Sequence, residues 1–175
     1  GVHNLENACA AITATRPWVQ DGVVIAEGLH SFDGLPHRLK FVREVNGVRY
    51  YDDSIATTPG SAIAAIKAFQ GQPLLLILGG HDKGADYENL LQVCHDEQVS
   101  VLAIGANRQH ILELCAQYDV EAGQEPGGMQ DIVRRAAIET QHGSVVILSP
   151  AAASFDMFKN YADRGEQFIA AVNHL

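Results

Sequence analysis

Cysteine is scarce in this sequence: Cys9, Cys94 and Cys115 form no Cys-x-x-Cys pair and no Cys/His ligand spacing. An odd, scattered set of thiols excludes a disulfide framework, and reduced, buried cysteines in the cytosol are expected. Basic residues are also few, with 12 Lys and Arg against 21 Asp and Glu and a formal net charge of -9. Such a chain cannot neutralise a row of phosphates, which excludes non-specific attachment to nucleic acid or an anionic membrane. No apolar run reaches the ~18 residues of a membrane span, and no basic segment leads into an apolar core of signal-peptide type. Neither a span nor a signal peptide is expected, and the expected location is the cytoplasm. Also missing are a Gly-x-Ser-x-Gly elbow, a Gly-x-x-x-x-Gly-Lys-Ser/Thr loop, and a Gly-x-Gly-x-x-Gly after the first strand. By itself the chain is not expected to cradle a triphosphate. Among its eight histidines, His95 and His110 sit in helical segments without an i, i+4 ligand partner, so no metal site is expected.

What is present is a core-forming chain of 175 residues with 47% hydrophobic content, enough for one domain and a short appendage. It is organised around Leu74 to Asp86, LLLILGGHDKGAD. The consecutive aliphatics bounded by Pro73 and a Gly pair read as a strand buried on both faces, the pattern of a parallel sheet covered by helices. At its end Gly79, Gly80 and Gly84 permit sharp turning and close approach to a ligand, while His81, Asp82, Lys83 and Asp86 put charge at the mouth. A ligand site is one reading of this stretch, and a solvated strand-to-helix turn is the other.

In chain order, residues 4–15 and 21–32 have helical apolar spacing and are separated by Pro17. Gly1 stands where a natural start would have Met, which points to a piece of a longer protein or a tag remnant. From about Leu35 the pattern changes, and KFVREV and VRYYDD read as strands around Asn46-Gly47, a strong hairpin signal. Thr58-Pro59 opens a helix to about Phe69 with Ile63, Ala64 and Ile66 inward. Helices follow at Tyr87–His95, at Asn107–Gln117 with Asn107 as cap, at Met129–Thr140 and from about Asp163 to Val172. They alternate with strands at 99–104, from Val120 and at 145–148. The expected fold is α/β: a Rossmann-like, mostly parallel sheet with helices on both faces, preceded by a short helical tail.

Polar clusters fall at residues 35–38, 52–58, 79–86 and 149–161, and the last three follow strands, so they are expected to meet at the carboxyl edge of the sheet. There Lys83 can hold a carboxylate or phosphate as a point charge, and Arg38 can grip an oxyanion in a fork. Thr57, Thr58 and Ser154 supply neutral donors near helix starts, although Thr58 reads first as a cap and Ser154 equally as cap or ligand. Asp52 and Asp53 are adjacent on a strand and point to opposite faces, so one of them faces a given site, and Asp53 is the one expected.

These residues carry a family resemblance. Gly1-Val2-His3-Asn4-Leu5-Glu6-Asn7, Phe32-Asp33-Gly34-Leu35-Pro36-His37-Arg38, Asp53-Ser54 with Ala56-Thr57, Leu78-Gly79-Gly80 with Lys83, and Leu148-Ser149-Pro150-Ala151 with Ala153-Ser154 resemble successive motifs of the Mur ligases. The likeness extends over essentially the whole chain and is strongest to the members that add glutamate. It implies that residues 1–34 are the C-terminal tail of a central ATP-binding domain and that residues 35–175 are the Rossmann-like, amino-acid-binding C-terminal domain. The implied reaction uses ATP to phosphorylate the carboxylate of UDP-N-acetylmuramoyl-L-alanine, after which the glutamate amine attacks the acyl phosphate.

By that resemblance Asn4, Asn7, Arg38 and Asp53 contact ATP, and Thr57, Lys83, Ser154 and Tyr161 hold glutamate, Tyr161 standing where the family often has Phe. The phosphate loop, a carbamylated lysine and the ligands for magnesium are implied to lie in the central domain, so this chain alone is expected to be inactive. A monomer is expected. Ile55 and Thr58 replace a Lys and an Asn of the usual Asp-Ser-Lys-Ala-Thr-Asn, a variant similar to relatives that add L- instead of D-glutamate. Two alternatives remain open at this point: another Mur or folylpolyglutamate-type ligase, and a non-catalytic nucleotide- or flavin-binding module.

Overall fold

The computed structural model describes residues 2–81 and 83–175, the side chains of residues 2–4 excepted. Asp82 and the Asn4 side chain therefore lie outside the described residues. The chain divides into two compact units, Gly1–Leu35 and Pro36–Leu175.

In the first unit, α1 (Val2–Thr15) and α2 (Gly22–His30) are separated by a turn that contains Pro17. Asp21 starts α2 by accepting from the Val23 N–H at 2.8 Å, so one of the helix's orphan donors is satisfied. No residue of α2 is buried. Cys9 of α1 is exposed, whereas Cys94 and Cys115 are buried. This corrects the expectation that all the thiols are buried, because a unit of two short helices encloses no core of its own.

The second unit begins with β1 (Lys40–Val45) and β2 (Val48–Asp52), paired antiparallel. Asn46 and Gly47 between them have φ of 52° and 78°, the left-handed pair that a two-residue hairpin turn matching the strand twist requires. There follow α3 (Pro59–Lys67), β3 (Leu74–Gly79), α4 (Glu88–Asp96), β4 (Ser100–Ile104), α5 (Arg108–Gln117), β5 (Ala122–Gln124), α6 (Met129–Glu139), β6 (Val145–Leu148) and α7 (Tyr161–Asn173). The six strands form one sheet in the order β1-β2-β6-β3-β4-β5, parallel except for β1.

The expected α/β architecture is the one observed. Every residue of β3 and β6 is buried, and successive side chains of β3 alternate between two cores as strand geometry demands. Leu74, Leu76 and Leu78 pack with Ala62 and Ile66 of α3, Leu90 and Cys94 of α4 and Ile111 of α5. Leu75 and Ile77 pack with Ile132 and Ala136 of α6 and Phe168 and Val172 of α7. The sheet is thus sandwiched between α3–α5 and α6–α7.

Three local details differ from the sequence reading. The inward stripe of α3 is Ala62, Ala65 and Ile66, continued by Phe69, an i, i+3, i+4, i+7 set that leaves Ile63 and Ala64 half-buried. β5 starts at Ala122, because the Val120 N–H is used by the Cys115 carbonyl at 2.9 Å to close α5. α7 starts at Tyr161, because the Asn160 side chain accepts from the Asp163 N–H at 2.9 Å.

Chain direction brings the loops after the parallel strands to one edge of the sheet. β3 lies between β6 and β4, so the loops after β3 and β6 flank the point where the strand order reverses, the position at which open α/β sheets receive ligands.

Candidate functional site

The loops that follow β2, β3 and β6 are bonded to one another through their backbones. Asp53 N–H donates to the Leu148 carbonyl at 2.9 Å and Ala151 N–H to that of Ala56 at 2.9 Å. Gly79 N–H reaches the Pro150 carbonyl at 2.8 Å and His81 N–H that of Ala153 at 2.8 Å. The last contact needs a glycine beside it: at Gly80, with φ of 154°, a Cβ would lie 2.3 Å from the Ala153 carbonyl oxygen. The segments expected to converge do meet, and the segment before β1 joins them, since the Ile55 N–H donates to the His37 carbonyl at 3.1 Å.

Buried polar side chains fix this edge. Asn107 holds the N-cap position of α5 but makes no capping bond with its side chain, which corrects its expected role. Its Oδ1 accepts from the Gly80 N–H at 2.8 Å and its Nδ2 donates to the Tyr87 hydroxyl at 3.0 Å, which in turn donates to the Ala151 carbonyl at 3.2 Å. A buried N–H on the neighbouring loop outcompetes the local capping bond, because leaving it unpaired is the costlier option. Thr58 likewise occupies its N-cap position without capping, its hydroxyl paired with that of Ser61 at 2.9 Å.

Asp52 is the last residue of β2 and Asp53 follows it, and the two carboxylates take different partners. Asp52 is fully buried, and its oxygens accept from His37 Nδ1–H at 2.7 Å and from the Ser54 N–H at 3.0 Å. Asp53 is buried too, its oxygens accepting from the Ser149 hydroxyl at 2.7 Å and the Leu39 N–H at 3.0 Å. Burial pushes the Asp53 carboxyl up to about 6, against the lowering effect of those two hydrogen bonds. The neighbouring Asp52 charge adds to the rise and the Arg38 charge opposes it.

Arg164 on α7 is the largest fully buried side chain of the molecule's described residues. Its guanidinium donates to the Ser54 hydroxyl at 2.9 Å, the Ser54 carbonyl at 2.8 Å and the Ala152 carbonyl at 3.1 Å. It ties the loop after β2 to the loop after β6. Burial lowers its pKa to about 10, opposed by the charges of Asp156 and Asp52, so it is a cation at neutral pH. Sequence reasoning assigned it no role. The signal was there: Arg164, Phe168, Ala171 and Val172 form the buried stripe of α7, which places the arginine inward at i, i+4, i+7, i+8 spacing.

The sequence-derived candidates fall on this edge with one group apart. Arg38, Thr57 and Lys83 are exposed. Tyr161 is 41% exposed, with its ring edge-on to His37 at 6.1 Å and its carbonyl accepting from the Ser54 hydroxyl at 2.7 Å. Ser154 is buried, its carbonyl accepting from the Phe158 N–H at 2.8 Å. Asn7 is exposed on α1 in the other unit. Arg38 and Lys83 are thus exposed cations on segments that run into or out of this edge, on a chain whose overall charge is -9. Among the described residues no group of three or more His, Cys, Asp or Glu side chains could hold a metal ion, and no helix is long and apolar enough to cross a membrane.

Comparison with known proteins agrees with this geometry. A family described as Mur ligase, glutamate ligase domain, matches residues 37–152. UDP-N-acetylmuramoylalanine--D-glutamate ligase of Ruminiclostridium cellulolyticum is 40% identical over 182 residues, an alignment that takes in 100% of this chain and 39% of that protein. The chain therefore spans about two fifths of the length of the curated relatives it matches. The fold is shared with UDP-N-acetylmuramate-alanine ligase MurC of Thermotoga maritima, at TM-score 0.73 and 17% identity over 99% of this chain and 38% of that one. It is shared as well with the MurF ligase of Thermotoga maritima solved in complex with ADP, at TM-score 0.57 and 18% identity over 97% of this chain and 38% of that one. By the family match across its sheet and the loops at the carboxyl edge, the chain belongs to the Mur ligase family.

Proposed function

We propose that this chain is the C-terminal portion of an ATP-dependent amide ligase that adds glutamate to UDP-N-acetylmuramoyl-L-alanine in cytoplasmic peptidoglycan precursor synthesis. The observation that carries the reading is the match of residues 37–152 to the glutamate ligase domain, a stretch that contains the joined loops after β2, β3 and β6 and the exposed Arg38, Thr57 and Lys83. In this reading residues 1–34 are the tail of the central ATP-binding domain, residues 35–175 form the amino-acid-binding domain, and the protein acts as a monomer.

A dicarboxylate substrate asks for a cation and neutral donors. Lys83 supplies a compact positive charge on the loop after β3, and Thr57 and the Ser154 segment supply donors from the loops bonded to it. Tyr161 closes one side with its ring. Arg38 faces the nucleotide phosphates with a planar fork, Asp53 lies behind it toward the ribose, and Asn4 and Asn7 serve the adenine. The acceptor carboxylate would take the γ-phosphoryl group of ATP with release of ADP, and the glutamate amine, oriented by this domain with water excluded, would displace phosphate from the resulting acyl phosphate to form the amide. In this reading the magnesium ligands and the phosphate loop belong to the central ATP-binding domain, and the chain alone is not expected to turn over ATP.

The test is Lys83→Met in the full-length enzyme. Loss of a charge-assisted contact of about 1.5–3 kcal/mol raises KM for glutamate roughly ten- to a hundredfold, with KM for ATP and the melting temperature unchanged. An unaltered glutamate constant in the folded variant removes Lys83 from the site.

A further inference from the structure

Two residues of the segment before β1 are held in a conformation that side-chain-bearing residues avoid. His37 has φ of 60° and Leu39 has φ of 46°, both in the left-handed region, and they bracket Arg38. Such backbone persists where the surroundings over-determine it. Here each strained residue is gripped by one member of the carboxylate pair. Asp52 takes the His37 Nδ1–H at 2.7 Å and Asp53 takes the Leu39 N–H at 3.0 Å.

Both grips are anchored from behind. Asp52 also accepts from the Ser54 N–H at 3.0 Å and Asp53 from the Ser149 hydroxyl at 2.7 Å, and both carboxylates are buried. α7 leaves room for the first grip, since a Cβ on Gly165 would stand 2.2 Å from His37 Nδ1 and 2.9 Å from Asp52 Oδ2. Only the residue between the two grips, Arg38, is turned out to solvent.

We propose that Asp52 and Asp53 are positioning residues that together clamp residues 37–39 in this turn and so aim the Arg38 guanidinium at a phosphate of the bound nucleotide. The inference deepens the proposed function and rests on its assignment of Arg38 to the ATP phosphates. Adjacent carboxylates would otherwise read as a proton-transfer or metal-binding pair. Their separate partners occupy their oxygens and give each a backbone or imidazole donor to hold instead.

The experiment is steady-state kinetics on the full-length enzyme with ATP and glutamate varied separately. Asp52→Asn and His37→Ala are each expected to raise KM for ATP about tenfold while leaving KM for glutamate within about twofold. In an Arg38→Ala background the same substitutions add nothing, because residues that act through one group do not show additive effects. His37→Asn restores the ATP constant, since Asn tolerates the left-handed region and its amide places a donor where Nδ1 stands. If Asp52→Asn fails to fold, His37→Ala and its Asn rescue, at a half-buried position, carry the test. Additive effects in the Arg38→Ala background, or an unchanged ATP constant in folded His37→Ala, overturn the clamp while leaving the ligase reading intact. An unchanged ATP constant in Arg38→Ala itself overturns the assignment of Arg38 to the phosphates, and the clamp's purpose with it.

Discussion

Replacing Arg164 by Met should unstitch the edge of the sheet that carries the candidate site. The arginine is fully buried and its guanidinium supplies donors to the Ser54 hydroxyl, the Ser54 carbonyl and the Ala152 carbonyl. Met keeps much of the aliphatic stem, so packing changes little and the lost donors dominate. Two buried carbonyls left without that donor cost roughly 1–3 kcal/mol each. Relief of the buried charge offsets part of this: a pKa lowered from 12.5 to about 10 corresponds to about 3 kcal/mol of differential desolvation at 1.36 kcal/mol per pH unit. Hydrogen bonds made by a charged donor contribute roughly 1.5–3 kcal/mol each, which outweighs that relief, and a net loss of about 3 kcal/mol follows. Against a total stability of about 5–15 kcal/mol this is large, and it lowers the melting temperature by roughly 6–12 °C. Urea unfolding followed by circular dichroism measures the loss, and hydrogen exchange locates it at the loops after β2 and β6. A loss below about 1 kcal/mol would refute the reasoning, because the guanidinium would then be a passenger in the core and not the tie between the loops.

The buried Asp53 gives a pH signature of defined sign. Its folded pKa, raised to about 6 from 3.8, means that the folded state binds the proton more tightly. The associated stability is full below the unfolded pKa and is lost as pH rises toward 6, amounting to at most about 3 kcal/mol. Urea midpoints for wild type and Asp53→Asn at pH 4, 5, 6 and 7 should therefore diverge in favour of wild type as pH falls, and a constant difference contradicts the assignment. Asn107→Ala leaves the Gly80 N–H without its 2.8 Å partner and should cost about 1–3 kcal/mol, with faster hydrogen exchange at Gly80. An ordinary surface effect within about 0.5 kcal/mol would mean that Asn107 does not secure this loop.

Local rules carried the reading wherever structure is set by neighbours in sequence. Asn46-Gly47 forms the hairpin because its residues tolerate positive φ, and the aliphatic run at 74–78 became a strand buried on both faces because it has no polar phase to expose. Local rules failed where a distant group competes for the same atom. Asn107 and Thr58 stand at cap positions yet bond elsewhere, and no neighbour in sequence announces the Gly80 N–H that draws the Asn107 side chain. The His37–Asp52 pair spans 15 positions and Arg164 reaches Ser54 across 110, separations at which periodicity says nothing about partners. Arg164 was legible only as an inward position on α7. Cys9 was misread because helical spacing of apolar residues shows that a face can be buried, and leaves open whether its own unit supplies the cover.

The central claim is that this domain receives glutamate for a ligase. Its most direct test is ATP-dependent phosphate release by the full-length enzyme with UDP-N-acetylmuramoyl-L-alanine and, in separate reactions, D-glutamate, L-glutamate, L-alanine, L-lysine and diaminopimelate. The account predicts sustained release with a glutamate enantiomer and background rates with the others, and the preferred enantiomer reports the effect of Ile55 and Thr58. Turnover with alanine, lysine or diaminopimelate and none with either glutamate would contradict it.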